Sequence, residues 1–291
     1  MIKTVRHYLS LIKFSHTIFA MPFALLGFFV AYKEVGGAME HLLFIRLLLL
    51  VVLCMVFARS AAMAFNRYID AKYDKLNPRT ASREIPAGII TSSSALLFVI
   101  ASSILFIVCS YYINSLCFYL SPIALFVILF YSYTKRFTPL CHVILGIGLA
   151  LAPIGAYLAL IPRFDILPIL FSLLVLTWVS AFDILYALQD EEFDRSQGLR
   201  SIPVMLGRRN SIYLARTLHM CTAIIVIYIG YIYLKNVWYG FAALGFISLL
   251  VYQHSIVKVH DISRINLAFG TTNGIASVLY AILTLCGLFL I

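Results

Sequence analysis

The apolar residues of this chain arrive in blocks too long for a soluble core, and that pattern constrains the fold before any motif is read. Leu42 to Phe65, Ser93 to Tyr112, Val143 to Ile161 and Ile166 to Leu188 are four of them. Each can cross a hydrocarbon layer about 30 Å thick as a helix, which takes ~20 residues. Backbone polar groups find no water there, so an α-helix that satisfies them internally is the element expected. Overall, 63% of the 291 residues are hydrophobic and 12% are charged, against about 45–50% and about 25% in an ordinary soluble domain. The chain therefore reads as an all-α, polytopic membrane protein forming one membrane domain over residues 1–291.

About nine spans are expected, centred near Leu25, Val52, Ser102, Phe126, Ala152, Leu174, Ile224, Leu244 and Ser277. Gly36-Gly37, Asn77-Pro78, Asn114, Thr138-Pro139 and Ile161-Pro162 separate them, and residues of these types end or turn helices. Lys3, Arg6 and Lys13 ahead of an apolar run resemble a signal peptide. The run from Thr17 to Tyr32 continues into a short turn and another helix, however, and is read as a retained first span.

The net charge of +10 does not point to nucleic acid, because the basic residues are divided among short inter-helix loops instead of one water-exposed face. With the N-terminus inside, Arg67, Lys72, Lys75, Arg79, Arg83, Lys135, Arg136, Arg195, Arg200, Arg208 and Arg209 fall beside cytoplasmic segments. The other side receives Lys33, Arg163 and Lys235, with Arg46 near its edge, and this asymmetry predicts the orientation. The six cysteines form no C-x-x-C pair and sit in or beside apolar blocks, where they read as small hydrophobes.

Two long inter-span segments, Asn66 to Ser92 and Gln189 to Asn210, hold seven of the twelve acidic residues and fall on the same cytoplasmic side. In the first, Asn66, Asp70 and Asp74 are spaced four apart. Such a series drifts by only about 40° per step, so it lines one helical face, with Arg59 about two turns deeper. In the second, Asp183, Asp190 and Asp194 share a face with Tyr186 at its border. Asp183 is deep enough that it is expected to face a cavity. Oxygen donors in this arrangement suit Mg²⁺, which takes one or two carboxylates and fills its shell with water and phosphate oxygens. The metal-ligand set predicted is Asn66, Asp70, Asp74, Asp190 and Asp194.

Lys72, Arg79, Arg83, Lys135, Arg136 and Arg200 lie in loops on the acidic side and can grip diphosphate oxygens. Tyr131 shares a helical face with Lys135, four residues on. The plain alternative for each acid cluster is a solvated helix end, and for each basic residue positive-inside anchoring. Two same-side clusters, each continuing an intramembrane polar stripe, favour a site. His16 reads as a packed residue, not a metal ligand. Clustered carboxylates are expected to repel one another without metal, so an Asp→Asn change there is expected to leave the metal-free fold at least as stable.

The ordered pieces Asn66-x-x-x-Asp70-x-x-x-Asp74, Arg79-Thr80-x-x-Arg83-x-x-Pro86-x-Gly88, Tyr131-x-x-x-Lys135-Arg136 and Asp183-x-x-Tyr186-x-x-x-Asp190-x-x-x-Asp194-x-x-x-Gly198 resemble the UbiA-type intramembrane prenyltransferases across nearly the whole chain. Within that superfamily, His16 to Pro22 and Thr134 to Thr138 look most like 4-hydroxybenzoate polyprenyltransferases of ubiquinone synthesis. The family pattern usually has Asp directly after the first-motif Asn, where this chain has Arg67. The resemblance implies a bundle of about nine transmembrane helices in the bacterial inner membrane, with a cytoplasmic cap over a lipid-open cavity. It implies Mg²⁺-dependent transfer of a polyprenyl group from its diphosphate to a small aromatic acid. Asp190, Asp183 and Tyr186 would be the catalytic side chains, with Asp190 accepting the ring proton or polarising the acceptor hydroxyl. Arg59 and Arg136 would meet the acceptor carboxylate. No obligate protein partner is implied. A hydroxynaphthoate acceptor of menaquinone synthesis is the alternative. A CDP-alcohol phosphatidyltransferase would need an Asp-Gly and Ala-Arg pattern that is missing, and a cation transporter would need carboxylates near the bilayer midplane.

Overall fold

In the computed structural model, which describes residues 2–12, 19–37 and 39–290, every regular element is helical. His16 and the start of the first expected span lie outside the described residues. A short helix α1 (Ile2–Leu11) precedes α2 (Met21–Glu34), α3 (His41–Leu76), α4 (Ser92–Ile113), α5 (Ser115–Thr134), α6 (Cys141–Leu158) and α7 (Ile166–Ala187). A 3₁₀ turn (Leu188–Asp190) leads into α8 (Glu191–Ser196), followed by α9 (Ile202–Ile232), α10 (Val237–Ile256) and α11 (Asn273–Phe289). Among the described residues, eight helices are long and apolar enough to cross a membrane. The first expected span differs: α2 has 14 described residues, below the usual spanning length, yet it packs inside the bundle against α6 and α11.

The sequence punctuation works as capping chemistry. Asn114 alone separates α4 from α5; its side-chain oxygen accepts from Cys117 N at 2.9 Å, and its amide donates to the Leu158 carbonyl at 2.8 Å. Thr91, Ser201 and Asn236 cap α4, α9 and α10 in the same way. Gly36 and Gly37 turn α2 into α3 at φ 80° and 64°, a region where side chains with a Cβ are strained. At the opposite end from the acids, Arg163 pairs with Glu34 (2.6 Å) and Asp165 (2.8 Å), fastening the α6–α7 turn to the end of α2.

The main core lies among α2, α6, α7, α9, α10 and α11 around the fully buried Trp178, whose ring meets Phe23, Phe182 and Phe246. Burial shows which helices face lipid. In the apolar stretches of α7 and α11, 56% of residues are buried, against 11% in α3 and 17% in α5. Between α3, α4, α5 and α6 the packing leaves a cavity of about 300 Å³. Ile123 and Phe164, 60% and 59% exposed, stand on its rim, so it opens toward the outer surface of the bundle.

Helix α3 connects this cavity to the acidic residues. Its 36 residues span ~54 Å at about 1.5 Å each, against a hydrocarbon layer of about 30 Å. The last turns therefore project past the apolar region, and they carry Asn66, Asp70 and Asp74. The segments 77–91, 135–140 and 188–201 close over that end as a cap.

Helices α2 and α6 touch through Gly27, where an added Cβ would overlap the Pro153 carbonyl oxygen. Gly27→Ala is expected to destabilise the protein by about 1–3 kcal/mol through overpacking. Thermal unfolding in detergent checks this, and an unchanged midpoint would mean the two helices separate freely.

Candidate active site

The end of α3 presents its oxygen donors as the spacing predicts. Asn66 Nδ2 donates to Asp70 Oδ2 at 3.1 Å, and Asp74 stands one turn further on, 6% exposed. Beyond the helix, Thr80 Oγ1 donates to the Asp74 carbonyl (3.1 Å) and the Arg79 N–H to Asn77 Oδ1 (3.0 Å), which folds the chain back over the helix end.

From there the cap segment reaches the second acidic motif. Arg79 grips Asp190 with two bonds, Nε to Oδ1 at 3.0 Å and Nη2 to Oδ2 at 2.5 Å, while Asn77 Nδ2 also donates to Oδ1 at 3.2 Å. Its third nitrogen, Nη1, donates to the Tyr186 hydroxyl at 3.2 Å. Arg83 pairs with Asp74 at 2.6 Å. In the turn after α5, Lys135 pairs with Asp194 at 2.7 Å and its neighbour Arg136 with Asp70 at 3.2 Å. Two consecutive residues thus hold one carboxylate from each motif, bringing together segments more than a hundred positions apart. Arg136 is fixed further by the Ile69 carbonyl (2.9 Å) and by the faces of Tyr73 and Tyr133.

These contacts correct the expectation of mutually repelling acids: each of Asp70, Asp74, Asp190 and Asp194 already has a cation. Burial works against charge on Arg79 and on Lys135, yet the hydrogen-bonded carboxylate beside each outweighs it and raises both above their ordinary pKa. Both therefore stay protonated across the neutral range. The cost of pairing falls on their availability. Arg79, Arg83, Lys135 and Arg136, expected to hold diphosphate oxygens, hold carboxylates here. Arg200 donates to the Phe137 carbonyl at 2.9 Å and accordingly braces the cap, while Lys72 is exposed.

Asp183 also differs from its expectation. It is absent from the cavity lining and bonds His142 Nδ1 on α6 at 2.7 Å, with His142 Nε2 accepting from the Ile202 N–H at 3.4 Å. Nothing in the spacing around His142 marks it in the sequence, because its role comes from the packing of α6 on α7. Tyr186 is covered by Phe269 at 4.1 Å between ring centroids, on a π-helical turn (Leu267–Thr272) that no periodicity announces.

Arg59 and Tyr131 do line the cavity, and among the described residues Arg59 is the one charged side chain that does so. Its Nε is buried without a hydrogen-bond partner. The other walls come mostly from residues such as Val51, Met55, Phe106, Val127 and Leu149. A long apolar chain can therefore lie in the cavity with a polar head at the acid-and-cation end.

Comparison with known proteins agrees with this geometry. The family model described as the UbiA prenyltransferase family matches residues 20–289. The chain is 31% identical over 235 residues to a 4-hydroxybenzoate octaprenyltransferase of Tolumonas auensis, covering 80% of this chain and 82% of the relative. It is 32% identical over 248 residues to one of Nitrosomonas europaea, covering 84% and 83%. Among solved structures, a UbiA homolog from Aeropyrum pernix K1 superposes with a TM-score of 0.79 at 26% identity, covering 94% of this chain and 97% of that one. A homolog from Archaeoglobus fulgidus bound to DMAPP and Mg²⁺ shares the fold, with a TM-score of 0.75 at 19% identity over 98% and 99% of the two chains. With its ordered motifs gathered at the end of an apolar cavity, this chain belongs to the UbiA prenyltransferase family.

Proposed function

We propose that this enzyme transfers a polyprenyl group from polyprenyl diphosphate to 4-hydroxybenzoate, with Mg²⁺, in ubiquinone synthesis. The observation that carries the reading is the cavity itself, mostly apolar and lined by Tyr131 and by Arg59, on the helix that carries Asn66, Asp70 and Asp74 about two to four turns further on. The names of the relatives support the acceptor, and the basic excess on the acidic side supports a cytoplasmic active site in a bacterial inner membrane.

The residues fit a magnesium ion. Asn66, Asp70, Asp74, Asp190 and Asp194 offer only oxygen, and the buried Asp74 Oδ2 has no hydrogen-bond partner. Among the described residues no three acidic, His or Cys groups form a metal cage by themselves. When bound, Mg²⁺ supplies the positive charge that neutralises the diphosphate and improves it as a leaving group.

The chain's own residues do the rest. The apolar walls hold the prenyl group and exclude water from the allylic cation left as diphosphate departs. Arg59 orients the acceptor carboxylate so that the ring carbon ortho to the hydroxyl faces that cation. The new carbon–carbon bond forms there, and the ring proton passes to a carboxylate, Asp190 in this reading, restoring aromaticity. In the resting structure both oxygens of Asp190 are engaged by Arg79. Donor binding draws Arg79 and Arg83 onto phosphate oxygens and frees the carboxylates, so donor and metal each strengthen the binding of the other.

Purified enzyme is expected to lose transfer completely in EDTA and to recover it with Mg²⁺, and to prefer 4-hydroxybenzoate over a hydroxynaphthoate in parallel assays. Transfer that persists in chelator defeats the metal reading; preference for the naphthoate moves the enzyme to menaquinone synthesis.

Asp194 is 1% exposed, and Asp194→Asn is expected to slow transfer and lower metal-free stability by leaving Lys135 without its countercharge. The loss is on the order of 2 kcal/mol, less than the ~3–5 of a fully buried pair, because the Lys135 side chain is 32% exposed. Melting of the EDTA-treated variant checks this, and a midpoint at or above the parent's would restore the repulsion picture.

A further inference from the structure

With four cap cations paired to carboxylates, a different basic side chain stands out. Arg67 is 6% exposed, and its position seven residues before Asp74 and three before Asp70 puts it on their face of α3. Among the described residues it makes no hydrogen bond and no ion pair, and its Nε is buried without a partner. The charged or polar groups around it are Arg83, Asp74, Tyr131 and Glu84. Asp74 does not serve as its partner: Oδ1 is committed to Arg83 at 2.6 Å and Oδ2 bonds nothing. Tyr131 adjoins both Arg67 and Arg59 but offers them a phenol and not a carboxylate. A buried guanidinium next to another guanidinium is unfavourable unless an anion arrives to satisfy both.

We infer that Arg67 is a docking point for the donor's diphosphate that operates without metal. The inference rests on the prenyl diphosphate reading above. Arg67 stands eight residues from Arg59, ~12 Å along the helix at about 1.5 Å per residue. It lies at the level of Asn66 and Asp70, where a diphosphate would sit, whereas Arg59 faces the apolar cavity, where the acceptor would. Its planar fork matches two phosphate oxygens. In metal-free protein Arg79, Arg83, Lys135 and Arg136 are held by carboxylates, so the first contact with the anion falls to Arg67. Diphosphate then binds ahead of the metal, and the exchange of partners in the cap follows.

The test is isothermal titration of inorganic pyrophosphate and of geranyl diphosphate into detergent-purified parent, Arg67→Gln, Arg67→Lys and Arg46→Gln, in EDTA and again with Mg²⁺. In EDTA the parent is expected to bind pyrophosphate, Arg67→Gln to bind it about tenfold more weakly, as loss of a charge-assisted fork implies, and Arg67→Lys to recover part of the loss. Arg46→Gln, on the far end of α3, removes the same charge and should match the parent. Without ligand, Arg67→Gln should melt at or above the parent, since an unsatisfied buried charge has gone; a structural arginine would give a lower midpoint. The inference is overturned if the parent fails to bind pyrophosphate in EDTA while binding geranyl diphosphate with Mg²⁺, or if Arg67→Gln binds as well as the parent. It is also overturned if Arg67→Gln and Arg67→Lys both melt well below the parent. A parent that binds geranyl diphosphate under neither condition removes the donor reading, and this inference with it.

Discussion

The pairing of Lys135 with Asp194 and of Arg136 with Asp70 is the contact on which the functional end of this protein depends. Two adjacent side chains in one short turn reach two acidic motifs carried on different helices, and so tie both motifs to the cap. Arg79 and Arg83 repeat the arrangement from a second segment, holding Asp190 and Asp74. Carboxylates placed this close would otherwise repel, and in a partly desolvated setting that repulsion would open the cap. These ion pairs therefore hold this end of the structure together, and in the proposed reaction substrate binding trades one set of partners for another.

The arrangement joins two solvents within one site. Along α3, an apolar face lining the cavity gives way, over little more than two turns, to Asn66, Asp70 and Asp74. An amphiphilic donor fits that gradient, with its chain in the lipid-like cavity and its charged head among fixed charges of both signs. Arg59 and Tyr131 line the cavity nearest that change, where an ionic contact is stronger than in water.

Packing on the other side of the bundle supplies rigidity. Trp178 Nε1 donates to Asn273 Oδ1 at 3.1 Å and Gln253 Nε2 to the same oxygen at 2.6 Å, so α7, α10 and α11 meet at one buried amide. That amide begins α11 directly after the π-helical turn that sets Phe269 against Tyr186. The wider turn re-aims the chain where a continuous α-helix would carry Phe269 elsewhere. Tyr186, held by Phe269 on one side and Arg79 on the other, is positioned by contacts from two separate parts of the chain.

Much of this was legible in the order of residues. Apolar blocks fix helices because the bilayer offers backbone groups no alternative partner. All nine expected span centres fall within helices, although α2 is shorter than its apolar run implied. The i, i+4 spacing fixed the shared face of Asn66, Asp70 and Asp74, since helical geometry is local. Which cation meets which carboxylate was not legible. Arg79 with Asp190, Lys135 with Asp194, and Asp183 with His142 are set by how helices distant in sequence pack and where the cap segments cross. The sequence alone determined that this chain is a membrane bundle with two acidic motifs at one end, because periodicity and hydrophobic length act within single helices. Only the tertiary structure decided that those acids are already neutralised and that Arg67 is not, because a charge's partner depends on distance through space, which spacing along the chain does not contain.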